Sequence, residues 1–152
     1  MIKSKFILLA KSATVDSLTS QLSINSVIEE LSAPLVPSVL GESVVVVVFE
    51  RDENDDSYYD IMFNLYSNNR KVGHKEIGLD FKDFTRNRLL LSLPILSLTE
   101  FGKLKFEFTL KSKVIASLIV NVIKAVPLAN IPNLDFHDHP KPLKKSLTKN
   151  KR

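Results

Sequence analysis

Residues 104–110 read Leu104-Lys105-Phe106-Glu107-Phe108-Thr109-Leu110, seven positions of strict apolar–polar alternation. Successive side chains of a β-strand leave on opposite faces, so Leu104, Phe106, Phe108 and Leu110 share one face. Lys105, Glu107 and Thr109 then turn to water on the other. A helix would scatter the four apolar residues around its axis. Lys111-Ser112-Lys113 turns this strand into a second, Val114 to Lys124. Val114, Ala116, Leu118, Val120 and Val122 share one face of that strand. Ile115, Ile119 and Ile123 occupy the other, so the strand is expected to be covered on both sides.

The same reading extends outward. Arg88 to Leu93 is a strand stopped by Pro94, and residues 95–102 connect it to the opening run. Tyr58 to Tyr66 alternates again, with Tyr59, Ile61, Phe63 and Leu65 opposite Asp60 and Asn64. Ser67-Asn68-Asn69-Arg70 is a hairpin turn, because Asn tolerates left-handed backbone angles. Lys71 to Leu79 is a weaker strand suited to a sheet edge, and residues 80–87 are irregular or a single helical turn. Ser43 to Arg51 carries five consecutive valines, β-branched and apolar on both faces, so it is expected to be covered by a second sheet and by a loop or partner. Lys5 to Ala10 and Gln21 to Leu31 complete the set, with two helical turns competing for Ser26 to Leu31. Ala33-Pro34-Leu35-Val36-Pro37 cannot join a central ladder, since proline has no backbone donor.

About eight short strands at regular intervals predict an all-β fold, a two-sheet antiparallel sandwich of immunoglobulin-like or C2-like plan. The sandwich is expected over residues 1–125. Residues 126–152 form a separate extension with Pro127, Pro132, Pro140 and Pro142, expected to be mostly flexible. The chain has 152 residues, 44% of them hydrophobic, enough for one domain burying roughly 70% of its unfolded surface.

Composition excludes several functions. With no Cys there are no disulfides and no thiolate ligands, and a cytoplasmic location is expected. The apolar stretch Phe6 to Ala10 is too short for a signal peptide, which needs roughly 7–15 such residues. The longest purely apolar run is Val44 to Phe49, so no transmembrane segment is expected. The net charge of +4 is a property of the C-terminus. Residues 141–152 hold six of the 21 basic residues and no acidic one, which leaves 15 basic against 17 acidic elsewhere. There is no GxSxG turn and no GxxxxGK[ST] loop, and the only histidines are His74, His137 and His139. No catalytic residue, enzyme activity or cofactor is expected.

The remaining candidates are binding residues. Asp52, Asp55 and Asp56, with Asp80 and Asp83, could offer oxygens to Ca²⁺ in the manner of C2-type domains, although the spacing favours a solvated hairpin tip. Asp135-Phe136-His137-Asp138-His139 places imidazoles and carboxylates together, but on a proline-flanked segment without groups to orient them. Lys141, Lys144, Lys145, Lys149, Lys151 and Arg152 could meet an anionic surface, nucleic acid or membrane, and otherwise solubilise the terminus. Val45, Val47, Ile115, Ile119, Ile123, Leu134 and Phe136 are the apolar residues expected at a protein interface, either a homodimer or a strand added to a partner's sheet.

Two stretches carry a likeness. One runs from Ala10 through Ala13-Thr14-Val15-Asp16-Ser17-Leu18-Thr19-Ser20-Gln21-Leu22-Ser23-Ile24, Val27 and Ala33-Pro34-Leu35-Val36-Pro37 to Val39. The other comprises Gly102, Phe106, Phe108, the turn 111–113, Leu118 and Val122. Together they resemble a family of small bacterial and phage β-sandwich proteins grouped only as a domain of unknown function. Ser20 stands where that family favours glycine, and Lys105 lies near its tyrosine position. The resemblance implies a sandwich fold and a bacterial or phage origin, and it brings no catalytic residues.

Overall fold

The alternation at residues 104–110 lies in the middle of an all-β chain, described for residues 1–126 by a computed structural model. The strands are β1 (Lys3–Val15), β2 (Leu22–Val27), β3 (Glu30–Ala33), β4 (Ser38–Leu40), β5 (Ser43–Glu50), β6 (Tyr58–Ser67), β7 (Arg70–Asp80), β8 (Arg86–Leu93), β9 (Leu96–Leu98), β10 (Gly102–Leu110) and β11 (Lys113–Lys124). A four-stranded sheet of order β2-β1-β5-β8 faces a five-stranded sheet of order β3-β11-β10-β6-β7, and β4 pairs with β9. This is the predicted two-sheet sandwich, with more strands than the expected eight.

The extra strands have local causes. Ser26, at φ 55, turns the backbone one residue before β2 ends at Val27, and the stretch read as one strand from Gln21 to Leu31 divides between the two sheets. Its second half, β3, lies parallel to β11, with Glu30 beside Asn121 and Ala33 beside Lys124. β1 runs past Ala10 to Val15 because its polar end pairs with β2, Ser12 opposite Asn25. The two tight hairpins are where the sequence placed them. Asn68 and Asn69 join β6 to β7 and Lys111 and Ser112 join β10 to β11, all four with positive φ, as a two-residue turn matching the strand twist requires. β7 is an edge strand, as expected.

The core lies between the sheets. Leu9, Val45, Val47 and Phe49 of one sheet meet Phe63, Leu104, Phe106, Phe108 and Val120 of the other. Phe49 packs edge-on against Phe108 at 6.0 Å, and Phe63 lies 5.1 Å from Phe108. Each such ring or branched chain withdrawn from water stabilises the fold by roughly 1.5–3 kcal/mol. Val45 and Val47 are fully buried here. As interface residues they are therefore corrected: their side chains are spent on the protein's own core.

β5 is buried on its second face too. Val44 and Val46 form a smaller apolar cluster with Ala10, against which Leu8, Ala13, Leu22, Ile24 and Leu90 pack. The cover comes from neighbouring strands, in place of the expected loop or partner. β11 departs from expectation. Ala116, Val120 and Val122 are buried, whereas Ile119 is 55% exposed and Ile123 41%. Among the described residues only one of its faces is covered.

Candidate functional site

The face left open is the outer side of the five-stranded sheet. On β10 the inward Leu104, Phe106 and Phe108 alternate with Lys103, Lys105, Glu107 and Thr109. Pairing lines the outward residues up in rows across the strands. Ile119, Lys105, Tyr66 and Lys71 form one row. Ser117, Glu107, Asn64 and His74 form the next, and Val114, Thr109, Met62 and Glu76 the one beyond. An irregularity in β11 opposite Phe108 and Thr109 brings Val114 into the third row.

The middle of this face is polar and closed to water. Glu107 was expected to face solvent and is only 7% exposed. Lys105 Nζ pairs with its carboxylate, and Tyr66 Oη donates to Glu107 Oε1 at 3.4 Å. Lys105 also lies 5.4 Å from the centre of the Tyr66 ring. The three long side chains thus brace one another over the sheet, and both carboxylate oxygens are engaged. Beside them Asn64 is 5% exposed, and its Oδ1 has no hydrogen-bond partner among the described residues. An unpaired buried amide oxygen costs roughly 1–3 kcal/mol. Asn64, Met62, Lys71, Glu76, Asp60 and Thr109 border a shallow cavity of 400 Å³.

A larger groove of 710 Å³ opens at the end of the sandwich, walled by Tyr58, Tyr59, Leu110 and Ile115, with Asp56 and Lys113 at its margin. Tyr58 Oη donates to Asp60 Oδ1 at 2.8 Å, which raises the phenol's pKa above its ordinary value. Burial pushes Tyr59 the same way.

The sequence-derived candidates scatter over this framework. Ile115 is half-buried in the end groove, and Ile119 and Ile123 stand on the open face. Asp52 and Asp55 accept from the Met1 ammonium, at 3.0 Å for Asp52. The N-terminal ammonium beside Asp55 holds its carboxyl below the usual range. Asp56 turns instead to the groove, and Asp80 Oδ1 accepts from the Lys82 amide at 2.8 Å. Among the described residues no three His, Cys, Asp or Glu side chains group as metal ligands. Leu134, Phe136, His137, His139, Lys141, Lys144, Lys145, Lys149, Lys151 and Arg152 lie outside the described residues. Asn64, Tyr66, Lys71 and Glu76 were not singled out as a site by sequence. The outward side of Asn64 on β6 was legible, whereas Lys71 joins Tyr66 only through a register shift that alternation does not show.

The architecture is a two-sheet, mostly antiparallel β-sandwich. Among the described residues no helix is long and apolar enough to cross a membrane. No family model matches the chain and no curated protein does, so the likeness at Ala10–Val39 and 102–122 rests on those residues alone. Similar solved structures include an immunoglobulin-like protein from Pseudomonas aeruginosa, 9% identical, covering 81% of this chain and 97% of that one at a TM-score of 0.41. Another is a beta-glucosidase from Listeria innocua in complex with glucose, 12% identical, covering 78% of this chain and 16% of that one at 0.42. At such values neither likeness transfers a residue role to the open face.

Proposed function

We propose that this chain is a non-enzymatic protein-interaction module that docks through the outer face of its five-stranded sheet. The observation that carries this reading is the exposure of Ile119 and Ile123 together on one sheet face. Exposed aliphatic side chains of this kind are what a partner's surface covers. Glu107 is held by Lys105 and Tyr66, which favours a bracing role over general-base work.

The reading is tested by affinity capture from cells of the source organism, comparing the native chain with an Ile119→Glu/Ile123→Glu variant. Both positions are exposed, so each change is expected to alter stability by no more than about 0.5 kcal/mol. Partners retained by the native chain should be lost by a variant whose circular-dichroism spectrum is unchanged. Equal capture by both proteins, or capture by neither, would overturn the assignment.

A further inference from the structure

The open face has an internal symmetry that names its occupant, on the reading of it as a docking surface. We infer that a second copy of this chain stacks on it, about a two-fold axis that crosses the strands above the Glu107–Asn64–His74 row. Such an axis lies in the plane of the contact. It returns the Asn64 row to itself and lays the Tyr66 row of each copy on the Met62 row of the other. Strands keep their place across the sheet, so β6 meets β6 and β7 meets β7.

The pairings of the two flanking rows are complementary, while the central row sets Glu107 and His74 against their own images. Lys71 faces the partner's Glu76, and Glu76 faces the partner's Lys71. Both side chains are exposed, and neither makes an ion pair or side-chain hydrogen bond among the described residues. Lys71 lies opposite Tyr66 beyond a register shift at Leu65–Tyr66, and Glu76 lies opposite Met62. Tyr66 meets the partner's Met62, and Lys105 meets the partner's Thr109. On β11, Ile119, 55% exposed, meets the partner's Val114, 48% exposed. An isologous contact requires this kind of self-matching, each residue answered by a different one on the other copy. The axis brings each residue of its row against its own image; Asn64 there is only 5% exposed, with its Oδ1 already closed off among the described residues. Glu107 also lies near the axis, and its charge is already balanced by Lys105.

The four longer strands of the sheet, at roughly 4.8 Å spacing along the 9 residues of β10, present a face on the order of 600 Å², the lower end of the roughly 600–1,000 Å² that a stable interface buries per partner. Stacked sheets cross at about 30°, an offset that Lys and Glu side chains can span.

The experiment is sedimentation equilibrium of the full chain with Lys71→Glu, Glu76→Lys and the double variant. The native chain should form a concentration-dependent dimer. Each single change sets like charges opposite each other at two symmetric places and should weaken the dimer roughly tenfold or more. The double variant restores opposite charges and should recover it. A native chain that is monomeric throughout overturns the inference. So does a dimer indifferent to the single changes, or one that the double change fails to rescue. A monomer that still loses a cell-derived partner on Ile119→Glu/Ile123→Glu overturns self-association and leaves the docking reading standing.

Discussion

Asn68 fastens the backbone on both sides of Gly102. Its Nδ2 donates to the Phe101 carbonyl at 2.9 Å, and its Oδ1 accepts from the Lys103 amide at 2.8 Å. Asn68's own amide donates to the Lys103 carbonyl at 2.8 Å. The β6–β7 turn is thereby locked to the start of β10. Gly102 permits this in two ways: its φ is +125, and a side chain there would run into the Asn68 amide.

Gly102→Ala should therefore destabilise by about 1–3 kcal/mol, combining an unfavourable backbone angle with displacement of the Asn68 side chain. Asn68→Ala should also cost about 1–3 kcal/mol, since it removes these hydrogen bonds and puts Ala at a positive φ of 43. Urea unfolding of the two variants gives both values. Equal stability of Gly102→Ala and the native chain would show that the lock is not needed.

Phe106 is fully buried and stacks on Phe63, 6.5 Å away across the β10–β6 pair. Phe106→Ala should cost about 3–5 kcal/mol through lost burial and an unfilled cavity. Lys103→Ala, one turn of the pleat away on the exposed face, should be nearly neutral. The contrast between the two is read from their urea midpoints.

The alternation at 104–110 disclosed the class, the two hairpins and the inward set of β10, since each depends on neighbouring residues along the chain. What stayed hidden depends on pairing. Val45 and Val46 are equally apolar, yet one enters the main core and the other a small outer cluster, and no local pattern separates them. Ile119 and Val120 differ in exposure by half their surface for the same reason. Glu107 looked like a solvent residue because its neighbours Lys105 and Tyr66, which close over it, come from its own strand and from one about 40 positions earlier. The open face was half legible: Ile119 and Ile123 were marked by sequence, and Asn64, Lys71 and Glu76 became a set only when β6, β7 and β10 were aligned.

Arg51 joins two loops at one end of the sandwich. Its guanidinium donates to the Phe84 carbonyl at 3.1 Å, the Asp55 carbonyl at 2.8 Å and the Glu53 carbonyl at 3.2 Å, and it lies 5.8 Å from the Phe81 ring centre. Lysine cannot reproduce that fork of donors. Arg51→Lys should cost roughly 1.5–3 kcal/mol. Hydrogen exchange should quicken at residues 52–57 and 81–85 before it does in β10. Uniform acceleration across all strands would mean that Arg51 supports the whole fold and not this corner.

Acid should weaken the fold through its edges. Arg86 Nε donates to Glu50 Oε1 at 3.0 Å, and this bond, reinforced by Lys5, holds the Glu50 carboxyl below its ordinary range. Asp16 is lowered by the Thr19 amide and hydroxyl and by the Leu18 amide. In both cases the folded state binds its proton less readily than the unfolded chain. Their contribution is complete above the unfolded carboxylate value of about 4 and is lost as pH falls through the lower folded values. The urea midpoint should thus hold steady from neutrality to about pH 5 and decline below it. Glu50→Gln should lower the midpoint at neutral pH and flatten the acid decline, because the glutamine amide has no proton to gain. Retention of the full acid slope by Glu50→Gln would place the sensitivity elsewhere, with Asp16→Asn the next variant to measure, since its carboxylate ties down the β1–β2 turn by the same chemistry.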